Sequence, residues 1–395
     1  MNLTCRSVAL VQEAYLVQPG WTTRWRPINP VFPPPASRNP SCGGVFASRW
    51  SMGENYLLGL AWILAAGVTQ GSFALPMKFV RRWKWEHVWL VYSLVAFLVL
   101  PLLIALLTVP SLGRVYAQAA PEVIFLTALF GAAWGVGSIF FGLGVDALGM
   151  ALGFSIMTGI YTALGALIPL LVLTPDVIWT QNGYFIMAGN GVTIAGVVIS
   201  AIAGDLRERQ QGERVITAAL NKKVPFVTGM AICLASGILS AAFNFSYAFG
   251  KPIADVAQKY GASPQNGLNA LWLIALSSGG VLNIGYCLYL LKRRRSWRLL
   301  WGQGSVVDWI GALAMSVLWT GSVIIYGWGA GYMGRLGPSL GWSLWNAFLM
   351  ITTVACGLFT REWEGADGRA LRLLFVGIGV LIFASVLLGL GGAGS

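Results

Sequence analysis

Charge is scarce in this chain: 10% of its 395 residues are Asp, Glu, Lys or Arg, against about 25% in soluble domains. A water-exposed surface over a chain of this length cannot be built from so few charges, which excludes an ordinary soluble enzyme. The single histidine, His87, excludes a His-based metal site. The five cysteines give no disulfide framework, and Cys233, Cys287 and Cys356 lie inside apolar runs as small core residues. The 14 acidic residues fall at the ends of apolar runs, in links or near the N-terminus, so no carboxylate sits mid-span. Neither an HExxH pattern nor a GxSxG with partners is present. The expectation is therefore no catalytic activity, no metal and no cofactor. The net charge of +12 invites a nucleic-acid partner, but the basic residues sit in short links between apolar spans, where orientation signals belong.

What remains is apolar: 56% hydrophobic residues, 50 glycines and 18 tryptophans, with a mean hydropathy of +0.70. A membrane-crossing helix needs about 20 apolar residues, and ten runs qualify, at 56–77, 88–109, 122–144, 148–173, 184–203, 224–249, 267–291, 306–331, 338–359 and 370–391. The sequence predicts an all-α integral membrane protein with one ten-helix domain over residues 52–391. Residues 1–51 differ in kind, being rich in Pro, Arg and Ser and containing Pro33-Pro34-Pro35. They lack the apolar core of a signal peptide and read as a disordered extension or as sequence upstream of a start at Met52. Links 1–2, 3–4, 5–6, 7–8 and 9–10 hold 17 Lys or Arg, the other links 4, and the N-terminal stretch 5. That asymmetry places the basic links in the cytoplasm and both termini outside.

The chain also repeats itself. Leu148-Gly149-Met150-Ala151-Leu152-Gly153-Phe154-Ser155 returns, at a numbering offset of 188, as Leu336-Gly337-Pro338-Ser339-Leu340-Gly341-Trp342-Ser343. Gly59, Ala61, Leu64, Ala65, Gly67 and Phe73 of span 1 have counterparts in span 6 at an offset of 170. Trp134, Gly142, Gly144 and Gly149 have theirs in and just after span 8 at an offset of 185. Five spans separate the copies, and five is odd. The second half (about 222–391) must then enter the bilayer upside down relative to the first (about 54–205). Two inverted five-helix repeats suit a transporter with alternating access to a site between the halves.

A polar solute held between membrane helices needs hydrogen-bonding side chains and, for any C–H surface, an apolar or aromatic face. Residues three, four or seven apart share one side of a helix. On this basis Trp134 and Ser138 in span 3, Ser155 and Thr158 in span 4, Asn244 and Tyr247 on a face shared with Ser240 in span 6, Trp319, Ser322 and Tyr326 in span 8, and Ser343 and Asn346 in span 9 are the candidate substrate contacts. The two asparagines weigh most, because an unpaired amide in hydrocarbon is costly. Coupling to an ion calls for charged groups near the path. The candidates are Lys78 and Lys251, similarly placed after spans 1 and 6, with Asp146 and Asp308 at helix ends.

Spans 1 to 10, about residues 54–391, resemble the L-rhamnose–proton symporter family of the drug/metabolite transporter superfamily. The resemblance rests on Pro76-Met77-Lys78, Trp83-Lys84-Trp85-Glu86, Trp134-Gly135-Val136-Gly137, Leu148-Gly149-Met150, Asn283-Ile284-Gly285-Tyr286-Cys287, Tyr326-Gly327-Trp328-Gly329 and Arg361-Glu362-Trp363. It departs at Ser138, where an Asn is expected, and at Trp345-Asn346, where familiar members carry a His. The resemblance implies ten helices, import of a deoxy monosaccharide such as L-rhamnose and coupling to a proton or sodium gradient, in a bacterial cytoplasmic (inner) membrane. An exporter of drugs or metabolites on the same fold, and a membrane sugar sensor that does not transport, are the alternatives.

Overall fold

The computed structural model describes residues 44–148, 150–210, 225–301 and 305–393. Residues 1–43, on which most of the N-terminal expectation falls, lie outside it, as do the side chains of Asp146 and Ser155. Two units are distinguished, Met1–Glu54 and Asn55–Ser395. The first is described only from Gly44, as helix, and the membrane spans lie in the second.

Among the described residues ten helices are long and apolar enough to cross a bilayer: α1 Tyr56–Phe79, α2 Trp85–Thr108, α3 Pro121–Val145, α4 Ile156–Leu173, α5 Gln181–Arg207, α6 Phe226–Lys259, α7 Pro264–Arg294, α8 Val306–Tyr332, α9 Gly334–Phe359 and α10 Gly368–Gly392. Their starts follow from local chemistry. Ser263 caps α7, accepting from Asn266 N at 3.2 Å ahead of Pro264 in the first turn. Ser305 and Asp308 form a reciprocal capping box on α8, which satisfies amides that would otherwise enter hydrocarbon unpaired. Wide π turns occur in α2 at Val95–Val99 and at the start of α9 at Gly337–Gly341, and such turns are common where a helix borders a site. One expectation is corrected. The run read as ending at 249 continues as helix to Lys259 with Pro252 inside it, so Lys251 lies on α6 rather than in a link.

Glycine sets the distance between helices, since a missing side chain lets backbones touch. A Cβ built on Gly135 of α3 falls 2.6 Å from Gly279 Cα of α7, and one on Gly131 falls 2.2 Å from Ala275 O. The contacts also give directions. Gly189, Gly196 and Ser200 of α5 meet Leu388, Leu381 and Gly377 of α10, so numbers rise on one helix as they fall on the other. Antiparallel contact recurs between α2 and α7, where Phe97 meets Gly280 and Asn269 donates to Thr108 Oγ1 at 2.9 Å.

The repeat offsets reappear in these contacts. Gly67 packs on Phe348 and Gly237 on Ile160; Gly59 packs on Tyr332 and Met333, and Gly229 on Ala147 and Leu148. In each pair, the two contacts are related by 170 on one side and by 185 or 188 on the other. Ser322 Oγ donates to Ala66 O at 2.7 Å and Ser236 Oγ to Gly137 O at 2.8 Å, again equivalent positions. For α2 and α7 the offset is 183: Gly131 and Gly135 rest on Ala275 and Gly279, while Ser316 and Thr320 donate to Tyr92 O (3.4 Å) and Ala96 O (3.0 Å). The packing is compatible with two five-helix halves of opposite orientation. Overpacking such a contact costs about 1–3 kcal/mol, so Gly135→Ala is expected to lower the thermal unfolding midpoint of the purified protein. Gly142→Ala, on the same helix with nothing within 4 Å of the added carbon, is expected to leave it unchanged.

Candidate functional site

The indoles of Trp134 and Trp319 stack with centroids 5.5 Å apart and planes at 23°. They stand 185 residues apart, at one of the offsets at which the sequence repeats, one on α3 and the other on α8. Phe97, carried by the π turn of α2, is edge-on to both at 5.1 and 4.8 Å. Phe243 leans on Trp134 at 5.2 Å. Beside this stack lies a cavity of about 200 Å³. Its wall is mainly aromatic, with Trp89, Tyr92, Trp342 and Trp345 continuing it from α2 and α9.

Besides the phenols of Tyr92 and Tyr161, five amide or hydroxyl side chains interrupt that wall: Gln70 (α1), Ser138 (α3), Ser240 (α6), Asn283 (α7) and Asn346 (α9). Ser138 Oγ donates to Asn283 Oδ1 at 2.8 Å, and Asn283 Nδ2 donates to Gly279 O at 3.1 Å and Gly135 O at 3.3 Å. The close approach of α3 and α7 at Gly135 and Gly279 is therefore what brings Ser138 and Asn283 together. Asn346 Nδ2 donates to Trp342 O at 2.8 Å. Gln70 Oε1 is buried with no partner among the described residues, an acceptor whose desolvation goes uncompensated until a donor arrives. Gln70 and Ser240 are equivalents at the offset of 170. Among the described residues no Asp, Glu, Lys, Arg or His lines the cavity, so its donors and acceptors suit a neutral, hydroxyl-rich ligand. The volume is below the roughly 300–1,000 Å³ of drug-sized sites.

Of the sequence-derived candidates, Trp134, Ser138, Trp319 and Asn346 share this cavity. Asn244 does not line it. It is fully buried and pins three other helices: Nδ2 donates to Gly165 O of α4 (2.7 Å) and Pro338 O of α9 (2.6 Å), and Oδ1 accepts from Tyr326 of α8 at 2.6 Å. Tyr326 stacks on Trp345 at 4.6 Å, and Tyr247 on Trp272 at 5.7 Å. Ser322 accepts from Trp345 Nε1 at 3.1 Å and so holds a cavity wall in place without reaching the cavity. Ser343 donates to Asn190 Oδ1, and Thr158 is buried on α4 away from the cavity lining.

Of the charged candidates, Asp308 and Lys78 lie at helix ends, whereas Lys251 lies within α6. Asp308 Oδ1 accepts from Arg81 N (2.8 Å) and Arg82 N (3.3 Å), and Oδ2 from Ser305 N and Oγ (2.7 and 2.8 Å), a carboxylate fully used in tying the α1–α2 link to α8. Lys78 pairs with Glu362 and donates to Thr360 Oγ1 at 2.6 Å, bordering a second cavity of about 450 Å³ with Arg207 and Trp363. Lys251 is exposed. At the opposite end of the bundle, Arg335 donates to both oxygens of Asp176 (2.8 and 3.2 Å), and these bonds hold the Asp176 carboxyl below its usual range.

Ser240, on the span 6 face shared with Asn244 and Tyr247, lines the cavity, as do Gln70 and Asn283, which were not among the candidate contacts. Each of these two amides has an aromatic residue one turn on, Phe73 for Gln70 and Tyr286 for Asn283, the same kind of spacing that pairs Trp134 with Ser138. The repeat offered a signal, since Gln70 and Ser240 are related by the same offset of 170 as the glycines of their two spans.

A sequence model of the L-rhamnose-proton symport protein family matches residues 52–394. The chain is also similar to proteins named L-rhamnose-proton symporter from Salmonella typhi and from Cronobacter sakazakii (strain ATCC BAA-894). Each is 29% identical over 351 residues, which cover 86% of this chain and 99% of the relative. With its ten apolar helices, this multi-pass membrane protein belongs to the L-rhamnose-proton symport protein family.

Proposed function

We propose that the protein imports a neutral deoxy monosaccharide such as L-rhamnose together with a proton, by alternating access, across a bacterial cytoplasmic membrane. The observation that carries this reading is the uncharged cavity beside the Trp134–Trp319 stack. An indole offers a flat apolar surface to the C–H face of a pyranose. Gln70, Ser138, Ser240, Asn283 and Asn346 offer amides and hydroxyls to its rim. A charge-free site between inverted halves suits an uncharged cargo that must desolvate at one face and rehydrate at the other. The positive-inside rule assigns the basic links to the cytoplasm and both termini to the outside. On that orientation the Asn244 junction and the Arg335–Asp176 pair close the outer end, and Phe141 and Leu349 lie on the cytoplasmic side of the cavity.

In proteoliposomes, labelled L-rhamnose is expected to accumulate against its gradient when an inward proton gradient is imposed. Accumulation should be lost on adding a protonophore and unaffected by replacing sodium. Equilibration that ignores both gradients rejects symport. Two asparagines then separate binding from architecture. Asn346→Ala should raise KM for the sugar by roughly tenfold or more, from the loss of about 1–3 kcal/mol of hydrogen bonding, at an unchanged unfolding midpoint. Asn244→Ala leaves Tyr326 and two carbonyls unpaired and should lower the midpoint instead, as a thermal melt of each variant in detergent will read.

A further inference from the structure

Among the described residues the proposed cavity holds no carboxylate or histidine, yet symport requires a group that takes up a proton. Three such side chains are fully buried among the described residues: Glu86, His87 and Asp308. Asp308 is saturated by four hydrogen bonds and has nothing left to offer. Glu86 and His87, adjacent at the start of α2, are not saturated. Glu86 Oε2 accepts from Arg294 Nη1 at 2.8 Å, while Oε1 is buried with no partner among the described residues. His87 Nε2 lies 2.9 Å from Ser296 O. A carbonyl can only accept, so Nε2 carries a hydrogen, and in the neutral ring Nδ1 then presents a lone pair. Nδ1 is likewise buried without a partner, and so is the hydroxyl of Ser296. A buried acceptor left empty is an uncompensated loss of hydration, and here two titratable acceptors and a hydroxyl are left empty at one junction.

We infer that Glu86 and His87 form the proton-binding site of the transport cycle, which rests on the proton-coupled reading above. The proton arrives from the outer side with the sugar, adds to Glu86 Oε1 or His87 Nδ1, and leaves from the same atom to the cytoplasmic side. Glu86 lies one helical turn before Trp89, a residue of the cavity wall, so a change at the carboxylate reaches the sugar site along a single rigid helix. Arg294, the partner of Glu86, is 52% exposed in its side chain, which gives the pair contact with the aqueous face. The other charged and titratable groups on the elements packed here are Arg81, Arg82 and Lys84 before α2, Cys287 and the basic run 292–295 on α7, and Asp308 on α8. The repeat sharpens the assignment. At the offset of 183, Glu86 corresponds to Asn269, whose amide is bonded to Thr108, and His87 to Ala270. The same place in the second half cannot titrate, so proton binding belongs to one end of the bundle.

The test uses the full chain in proteoliposomes containing a pH dye, with labelled L-rhamnose as probe. At one proton per sugar, a gradient of about one pH unit supports roughly tenfold accumulation. Glu86→Gln is expected to reduce this to about equilibration, and to abolish sugar-induced acidification of the lumen, while rhamnose counterflow, which needs no net proton movement, persists. Glu86→Asp should restore part of the accumulation. His87→Gln should weaken coupling in the same way, and it decides the matter if Glu86→Gln fails to fold. Tenfold accumulation by both Glu86→Gln and His87→Gln overturns the site while leaving symport intact. Loss of counterflow along with accumulation in folded variants also overturns it, because the role is then structural. Absence of sugar-induced acidification in the unsubstituted protein overturns the proton reading itself, and this site with it.

Discussion

The near-contact of α3 with α7 at Gly135 and Gly279 is the constraint from which the centre of the molecule follows. Without side chains at those two positions the backbones approach until only hydrogens separate them, and no other residue permits that approach. One turn away on either helix, Ser138 and Asn283 are then close enough to bond at 2.8 Å. Trp134, one residue before Gly135, is directed into the stack with Trp319. The equivalent place on α8 has Thr320, which donates to Ala96 O and holds α2 by a hydrogen bond instead of bare backbone contact. The two halves therefore share a geometry and achieve it by different chemistry.

Much of this was legible in the sequence. Hydropathy alone marks ten spans, because nothing but a helix satisfies its own backbone across hydrocarbon. The offsets of 170, 185 and 188, read from scattered Gly and Trp, recur in side-chain contacts such as Gly67 with Phe348 and Gly237 with Ile160. Side-chain roles were harder to read. Helical spacing reports which residues of one helix share a face, but it does not say which neighbour that face meets. Asn244 and Ser322 answer to backbone carbonyls of other helices, as most buried polar groups must, whereas Asn346 and Ser138 border open space. The pattern on a single helix is the same in both cases, and only tertiary packing separates them.

The polar groups divide by location into three sets. Those near the middle are neutral and border the cavity. Those at the end bearing Asn244 and Arg335 are bonded to one another and knit α4, α6, α8 and α9. Those at the basic end include the buried carboxylates, one saturated at Asp308 and one half-satisfied at Glu86. At the repeat offsets Asn244 corresponds to Ala74, and Tyr326 to Phe141, so the amide-phenol junction has no counterpart at the basic end. The two ends of the bundle are thus held by unlike bonds, and a change that weakens one need not touch the other.

The Trp134–Trp319 stack has one more consequence. Its two indoles stand at equivalent places in the repeated sequence, but the groups around them differ: Gln70 is matched by Ser240, and Asn346, which borders the cavity, by Thr158, which does not. A flat ring laid on this stack would meet an amide on one side and a hydroxyl on the other, so turning it over would exchange unlike partners. A near-symmetric floor with unlike walls thus favours one orientation of a bound ring over its inverse.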